Sequence, residues 1–297
     1  MVRAAERDGR PPRTSVWLEG GASPAGGGRG GGSRPSGLDR ARITAATVRL
    51  LDAEGLARFS MRRLAADLNV TAMSVYWYVD TKDDLLELAL DAAFAEISPA
   101  APAPTGPAPA ATDPTAADSV AADPAAADPT AAGPVAAGPG VGPADWREEL
   151  RALAGAYRAL LVRHPWLSSL AGTFLNIGPH AVEFQLAVQR LVRRTGLSAG
   201  GQAGALSAVF QFVYGFGTVE GHFVQRCASA GMSQDDYYRR AMRAVTREPE
   251  LREAVDDSAE LRRARGDGTV EEIRDRDFAF ALDLLIAGIE TMVRRGA

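Results

Sequence analysis

Residues 59–86 read FSMRRLAADLNVTAMSVYWYVDTKDDLL, and their local grammar decides the fold. Ser60 stands where an N-cap is wanted, and the run it opens reaches residue 68 with Leu64, Ala65 and Leu68 on one helical face. Asn69 follows, a residue that tolerates the left-handed conformation a tight turn requires. A second short helix is expected over 71–79, with Val70 and Val75 closing a small core. Two short helices across a three-residue turn make the helix-turn-helix layout, which projects the second helix toward a major groove about 12 Å wide. Upstream, residues 38–53 place Ile43, Ala46, Leu50 and Leu51 on one stripe that Gly55 stops, and downstream Lys82 begins a further helix to Ile97.

Charge is segregated along this stretch. Residues 40–79 hold six arginines against Asp52, Glu54 and Asp67, whereas residues 80–96 hold six acids and Lys82, the single lysine of the chain. The 297 residues carry a net charge of −4, so any nucleic-acid footprint is local rather than global.

The order and separation of these elements resemble the tetracycline repressor (TetR) family of transcriptional regulators. The resemblance is carried by Glu54-Gly55-Leu56, by Ser60-Met61-Arg62-Arg63-Leu64-Ala65, and by Val75-Tyr76-Trp77-Tyr78-Val79 followed by Lys82 and Leu85-Leu86. The Tyr-Trp pair is closest to the branch containing the tetracycline repressor. Asn69, Tyr78 and Asp80 depart from the family's usual glycine, histidine and basic residue. The resemblance implies a ligand-responsive regulator, most often a repressor, that binds a palindromic double-stranded DNA operator as a homodimer and is released by a small hydrophobic effector. It further implies that Arg62, Thr71, Ala72, Met73 and Ser74 face base edges, while Tyr76, Tyr78 and Lys82 hold phosphates and Trp77 either joins them or packs.

Beyond residue 144 the expected elements are again helical: 145–162 with Asp145 and Glu148 as a capping box, 166–176, 179–196, a long helix over 201–229, 233–246, 249–257 and 269–295. No segment alternates with period two, so the expected fold class is all-α: an N-terminal helix-turn-helix domain over 37–97 and a C-terminal helical effector-binding and dimerisation domain over 145–297. Val209, Phe212, Phe216, Val219 and Phe223 step by three and four, as do Phe278, Leu282, Leu285, Ile289 and Met292. These seams suit a four-helix dimer interface or the core of one chain, with Gly215, Gly217 and Gly221 allowing close backbone approach. Candidate effector contacts are Phe174, Asn176, His180, Gln185, Gln189, Gln211 and Tyr214, an aromatic and amide set suited to an apolar ligand with a few polar groups.

Two tracts lack hydrophobic periodicity and are expected to be disordered. Residues 1–36 are Gly- and Arg-rich, and residues 98–144 hold 11 prolines and 18 alanines in five-residue repeats such as Asp123-Pro-Ala-Ala-Ala. One cysteine, Cys227, leaves no disulfide framework, and His164, His180 and His222 match no zinc spacing, so neither metal nor cofactor is expected. No leader or spanning run is legible, which points to the cytoplasm and away from membranes. No phosphate loop, nucleophile elbow or acid/base pair suggests an enzyme. A DNA-binding regulator or architectural protein without an effector, controlled by a protein partner, is the competing expectation.

Overall fold

A computed structural model describes residues 15–18, 38–97 and 145–296. The expectation of disorder over 98–144 lies outside the described residues, as does that over 1–36 apart from 15–18. Among the described residues there is no strand, and twelve helices follow in order: α1 Arg40–Glu54, α2 Met61–Asp67, α3 Ala72–Val75, α4 Lys82–Phe94, α5 Trp146–Arg163, α6 Pro165–Ala171, α7 Pro179–Arg193, α8 Ala199–Ser229, α9 Gln234–Val245, α10 Pro249–Asp257, α11 Ala259–Ala264 and α12 Val270–Arg294.

Side-chain caps set most of the starts. Asp39, Ser60, Thr71, Thr81, Ser198, Ser233 and Thr269 each accept a backbone N–H from the first turn they precede, and Thr81/Asp84 and Thr269/Glu272 complete reciprocal capping boxes. The box expected at Asp145 and Glu148 does not form. Asp145 caps through the Arg147 N–H, while Glu148 pairs with Arg151 one turn on. The helix expected over 166–176 stops at Ala171, because Asn176 takes a left-handed φ of 52° and its Nδ2 donates to the free carbonyls of Ala171 and Phe174.

The first four helices share a core in which Ile43, Leu51, Leu64, Val75 and Leu85 are fully enclosed. Asn69 takes φ 54°, the left-handed turn that swings α3 away from α2. α3 is only four residues, shorter than the sequence suggested, and continues as a turn through Tyr78. Unexpectedly, a piece of the Gly/Arg-rich tract is ordered on this domain. Val16 is buried, and the Ser15 hydroxyl donates to Glu87 Oε2 of α4 at 2.5 Å. Expectation failed here because two apolar residues, Val16 and Trp17, suffice to seat a turn on an open core edge.

α4 runs from the DNA-binding domain into the body, packing on α1, α6 and α7. In the body, α5 crosses α8 so closely that a Cβ on Gly221 would lie 2.7 Å from the Leu161 carbonyl oxygen, and one on Gly217 would lie 2.9 Å from Leu161 Cδ1. Those two glycines thus serve the α5–α8 crossing inside one chain rather than a partner's approach, while Gly215 faces open space.

Candidate nucleic-acid interface and effector cavity

The helix-turn-helix presents a compact outward surface. Thr71 caps α3 by accepting the Ser74 N–H, and the two hydroxyls also share a hydrogen bond of 2.9 Å, so both are committed to holding the short helix in shape. Ala72 and Tyr78 are half-buried and brace it. Met73, Tyr76 and Trp77 are 69%, 42% and 59% exposed, and such apolar exposure on one four-residue helix and its following turn is not covered by any of the described residues. Among the described residues Trp77 is thus mostly exposed rather than buried in the core.

The two arginines of α2 divide their labour. Arg63 is anchored, its Nε and Nη2 donating to Glu54 Oε1 at 2.9 and 2.5 Å and locking α2 to the end of α1. Arg62 is exposed and makes no side-chain hydrogen bond or ion pair among the described residues. An unspent guanidinium at the edge of the recognition surface suits bidentate donation to a guanine. Lys82, at the first turn of α4, donates to the Phe59 carbonyl at 3.3 Å and lies 5.5 Å from the Phe59 ring centroid. Its ammonium retains two donors for a phosphate and ties the recognition unit to α4.

Polar and aromatic contacts from α4 and its flanks join it to the body. Asp91, buried on α4, accepts the Ala181 N–H at 3.0 Å and so caps α7 from outside, where Pro179 cannot supply an N–H of its own. Burial pushes its carboxyl above the usual range, only partly offset by the Ala181 and His180 amides and the His180 charge. Gly178 is required alongside, since a Cβ there would sit 2.3 Å from Asp91 Oδ1. Phe94 stacks on Tyr157 of α5, centroids 6.2 Å apart and planes at 17°. Finally, buried His164 bridges Asp52 of α1 at 2.6 Å and Glu96, just past α4, at 3.1 Å, while Trp166 Nε1 donates to the same Asp52 oxygen at 2.7 Å. Burial alone would disfavour a charged imidazole, but the two carboxylates outweigh it and raise its pKa.

Between α5, α7, the first half of α8 and Ile289 of α12 lies an apolar cavity of about 40 Å³, walled by Leu150, Tyr157, Phe184, Val188, Phe210 and Val213 among others. None of the seven effector candidates lines it. Tyr214 spends its hydroxyl on the Ser168 carbonyl at 2.7 Å, Gln185 donates to the Asn176 carbonyl, and Asn176 terminates α6. Gln189 and Gln211 are exposed, and Phe174 and His180 sit half-buried outside the cavity, around the turn into α7. The wall is made instead by the immediate neighbours Phe184, Val188 and Phe210, on the opposite face of the same amphipathic turns.

The two helical seams also divide. Phe278, Leu282 and Ile289 are buried within the single chain, where Phe212 stacks on Phe278 at 5.3 Å and Phe216 meets it edge-on at 5.2 Å. Phe223 packs edge-on against Tyr237, its centroid 5.6 Å away. What remains outward is Val219 of α8 with Phe280, Leu284 and Met292 of α12, between 44% and 70% exposed. Beside them, Gly204 and Ala208 face Leu285 and Gly288 across a shallow apolar groove.

Among the described residues no group of acidic, His or Cys side chains could hold a metal ion, and no helix is long and apolar enough to cross a membrane.

Residues 43–89 match the family described as "Bacterial regulatory proteins, tetR family", and residues 139–293 match "Tetracyclin repressor-like, C-terminal domain". An "HTH-type transcriptional regulator" of Saccharopolyspora erythraea is 31% identical over 178 residues, covering 60% of this chain and 59% of the relative. The "HTH-type transcriptional repressor DrrR1" of Streptomyces coeruleorubidus is 27% identical over 208 residues, covering 70% of this chain and 63% of the relative. The chain thus spans about three fifths of the length of the curated relatives it matches. In fold it is similar to ActR of Streptomyces coelicolor in complex with actinorhodin, with a TM-score of 0.56, 20% identity, and coverage of 87% of this chain and 99% of that one.

Proposed function

Since the chain belongs to the TetR family of bacterial transcriptional regulators, we propose that it acts as a homodimeric repressor whose hold on a palindromic operator is weakened by a small apolar effector. Arg62 and the start of α3, where Thr71 and Met73 are exposed and Ala72 and Ser74 half-buried, read bases. Tyr76, Trp77, Tyr78 and Lys82 hold phosphates and fix register.

The single observation that carries this reading is the pairing of two surfaces, left exposed among the described residues, on one helical frame. One is the α2–α3 face with its unspent Arg62 and its exposed Met73, Tyr76 and Trp77. The other is the outward apolar stripe of α8 and α12, centred on Val219, Phe280 and Leu284. A two-fold partner on that stripe sets two recognition helices at a fixed separation, which is what reading two half-sites demands.

α4 is the means of release. It touches the cavity wall through Phe94 and α7 through Asp91, and at its other end Lys82 holds the Phe59 carbonyl just ahead of α2. A guest that enlarges the cavity favours a displaced α4 and hence a different spacing of recognition helices. A coupling of about 1–3 kcal/mol would change DNA affinity roughly 5- to 150-fold.

The test is fluorescence anisotropy with duplexes from the DNA flanking the gene, paired with sedimentation. Binding of two chains per duplex at low salt is expected. Thermal melting against a panel of apolar compounds then seeks the effector, which at 100 times its Kd adds about 2.7 kcal/mol. Operator binding without a melting shift from any compound would favour control by a protein partner.

A further inference from the structure

Resting on the effector reading of the cavity, we infer that its guest is a flat, largely apolar molecule carrying one hydrogen-bond acceptor, and that the Tyr157 hydroxyl is the group that reads this acceptor.

Tyr157 is 2% exposed, and its Oη has no hydrogen-bond partner among the described residues. A buried hydroxyl with nothing to donate to is costly, and natural interiors rarely leave one without a reason. The other hydroxyls nearby are already spent. Thr195, in the same wall, donates to the Val192 carbonyl at 2.7 Å, and Tyr214 donates to Ser168. The remaining surface is aliphatic or aromatic, so once the rings part, the Tyr157 hydroxyl is the wall's one donor not already spent and every other contact is apolar.

The planar shape follows from the rings. Tyr157 and Phe210 lie 5.4 Å apart with planes at 23°, and Phe210 continues in a stack to Tyr214 at 6.0 Å and 15°. Phe210 is 40% exposed and forms the outer wall, so it is the side chain that moves to admit a guest. As it stands, the void of about 40 Å³ is far smaller than the roughly 150 Å³ cavity that accepts benzene. A guest must therefore part these rings, and a flat one parts them least. The Tyr157 ring also stacks on Phe94 of α4, with centroids 6.2 Å apart. Recognition and displacement of α4 thus pass through one side chain.

The experiment uses the full chain and two probes of nearly equal shape, 2-acetonaphthone with a carbonyl acceptor and 2-isopropenylnaphthalene without one, titrated by fluorescence against wild type and Tyr157→Phe. Wild type is expected to bind the ketone about ten-fold more tightly than the hydrocarbon. The variant is expected to bind both alike, at the hydrocarbon's wild-type affinity, and to melt at the same temperature as wild type or higher, since the lost hydroxyl had no partner. An unchanged ketone preference in the variant, a marked fall in its melting temperature, or binding of neither probe by wild type would overturn the inference. Operator binding by wild type is measured in the same series: its absence would sink the regulator reading itself, whereas its presence beside any of those outcomes would remove only the assignment of Tyr157 and its guest.

Discussion

The proposed DNA-facing surface and the proposed effector cavity are built on opposite terms. The first gathers neighbours in sequence, Thr71 to Lys82, on an exposed face around one unpaired arginine from the preceding helix. The second gathers residues from α5, α7, α8 and α12, dispersed over nearly 140 positions, into an apolar interior where the Tyr157 hydroxyl has no partner among the described residues. One is a local motif held stiff by its own caps and the other a product of packing. Mutations should act on the two in different currencies, affinity in the first and coupling in the second.

The largest effect that would break the contrast is structural. Leu64 is fully enclosed in the small core under α3, so Leu64→Ala is expected to cost about 2–5 kcal/mol of stability and to abolish operator binding. Thermal unfolding with anisotropy checks it, and intact DNA binding by a stable variant would show that α2 does not hold α3 in place. Next comes base readout. Arg62→Ala is expected to lose about 1–3 kcal/mol at one position per half-site, whereas Lys82→Ala weakens every sequence alike and lowers the salt slope. A binding-site selection on both variants separates the two roles. If both lost affinity uniformly, the reader and the positioner would have been confused.

Coupling is sharpened at Asp91. Asp91→Asn keeps an acceptor for the Ala181 N–H while removing a desolvated charge, so stability should change by less than about 1 kcal/mol. The effector-induced loss of DNA affinity should nonetheless shrink, because a neutral amide grips the start of α7 less firmly. Equal release in wild type and variant would remove α7 from the path.

The smallest expected effect is a pH slope at the α1–α4–α5 junction. His164 is buried between Asp52 and Glu96, with Arg163 on the far side of Glu96 and Trp166 on Asp52. Its folded pKa is raised above the ordinary 6.5, so the stability it supplies is full below that value and is lost as pH climbs through the raised pKa. Asp91 and Glu87, also raised by burial, add slope of the same sign nearer the carboxylate range. Melting temperature should therefore decline from pH 6 upward in wild type, more steeply than in His164→Gln. A parallel decline in both would contradict this assignment.

What the sequence disclosed follows the same divide. Ser60, Leu64, Asn69 and Val75 announce the helix-turn-helix because caps, turn conformation and apolar spacing are all local signals. The effector candidates combine aromatic and amide side chains, and none of the seven lines the apolar cavity, whose wall comes from their sequence neighbours Phe184, Val188 and Phe210. A better signal was available. Glu87 and Asp91, four apart in the apolar run from Leu85 to Phe94, are acids where a helix buries nearly everything, and such charges must find partners. By contrast, nothing in a periodicity foretells that Phe278, Leu282 and Ile289 serve the single chain's core while Phe280 and Leu284 look outward. A helix buried on one side and paired on the other shows the same heptad to both.

The central claim is that two copies, joined along α8 and α12, read two half-sites at once. Selection from a pool of random duplexes with the full chain, followed by sedimentation of the winning sequence, tests this most directly. An inverted repeat with half-site centres about 10 base pairs or a multiple apart, bound by two chains, is the predicted result. Enrichment of a single half-site bound by one chain, or of no motif at all at low salt, would contradict it.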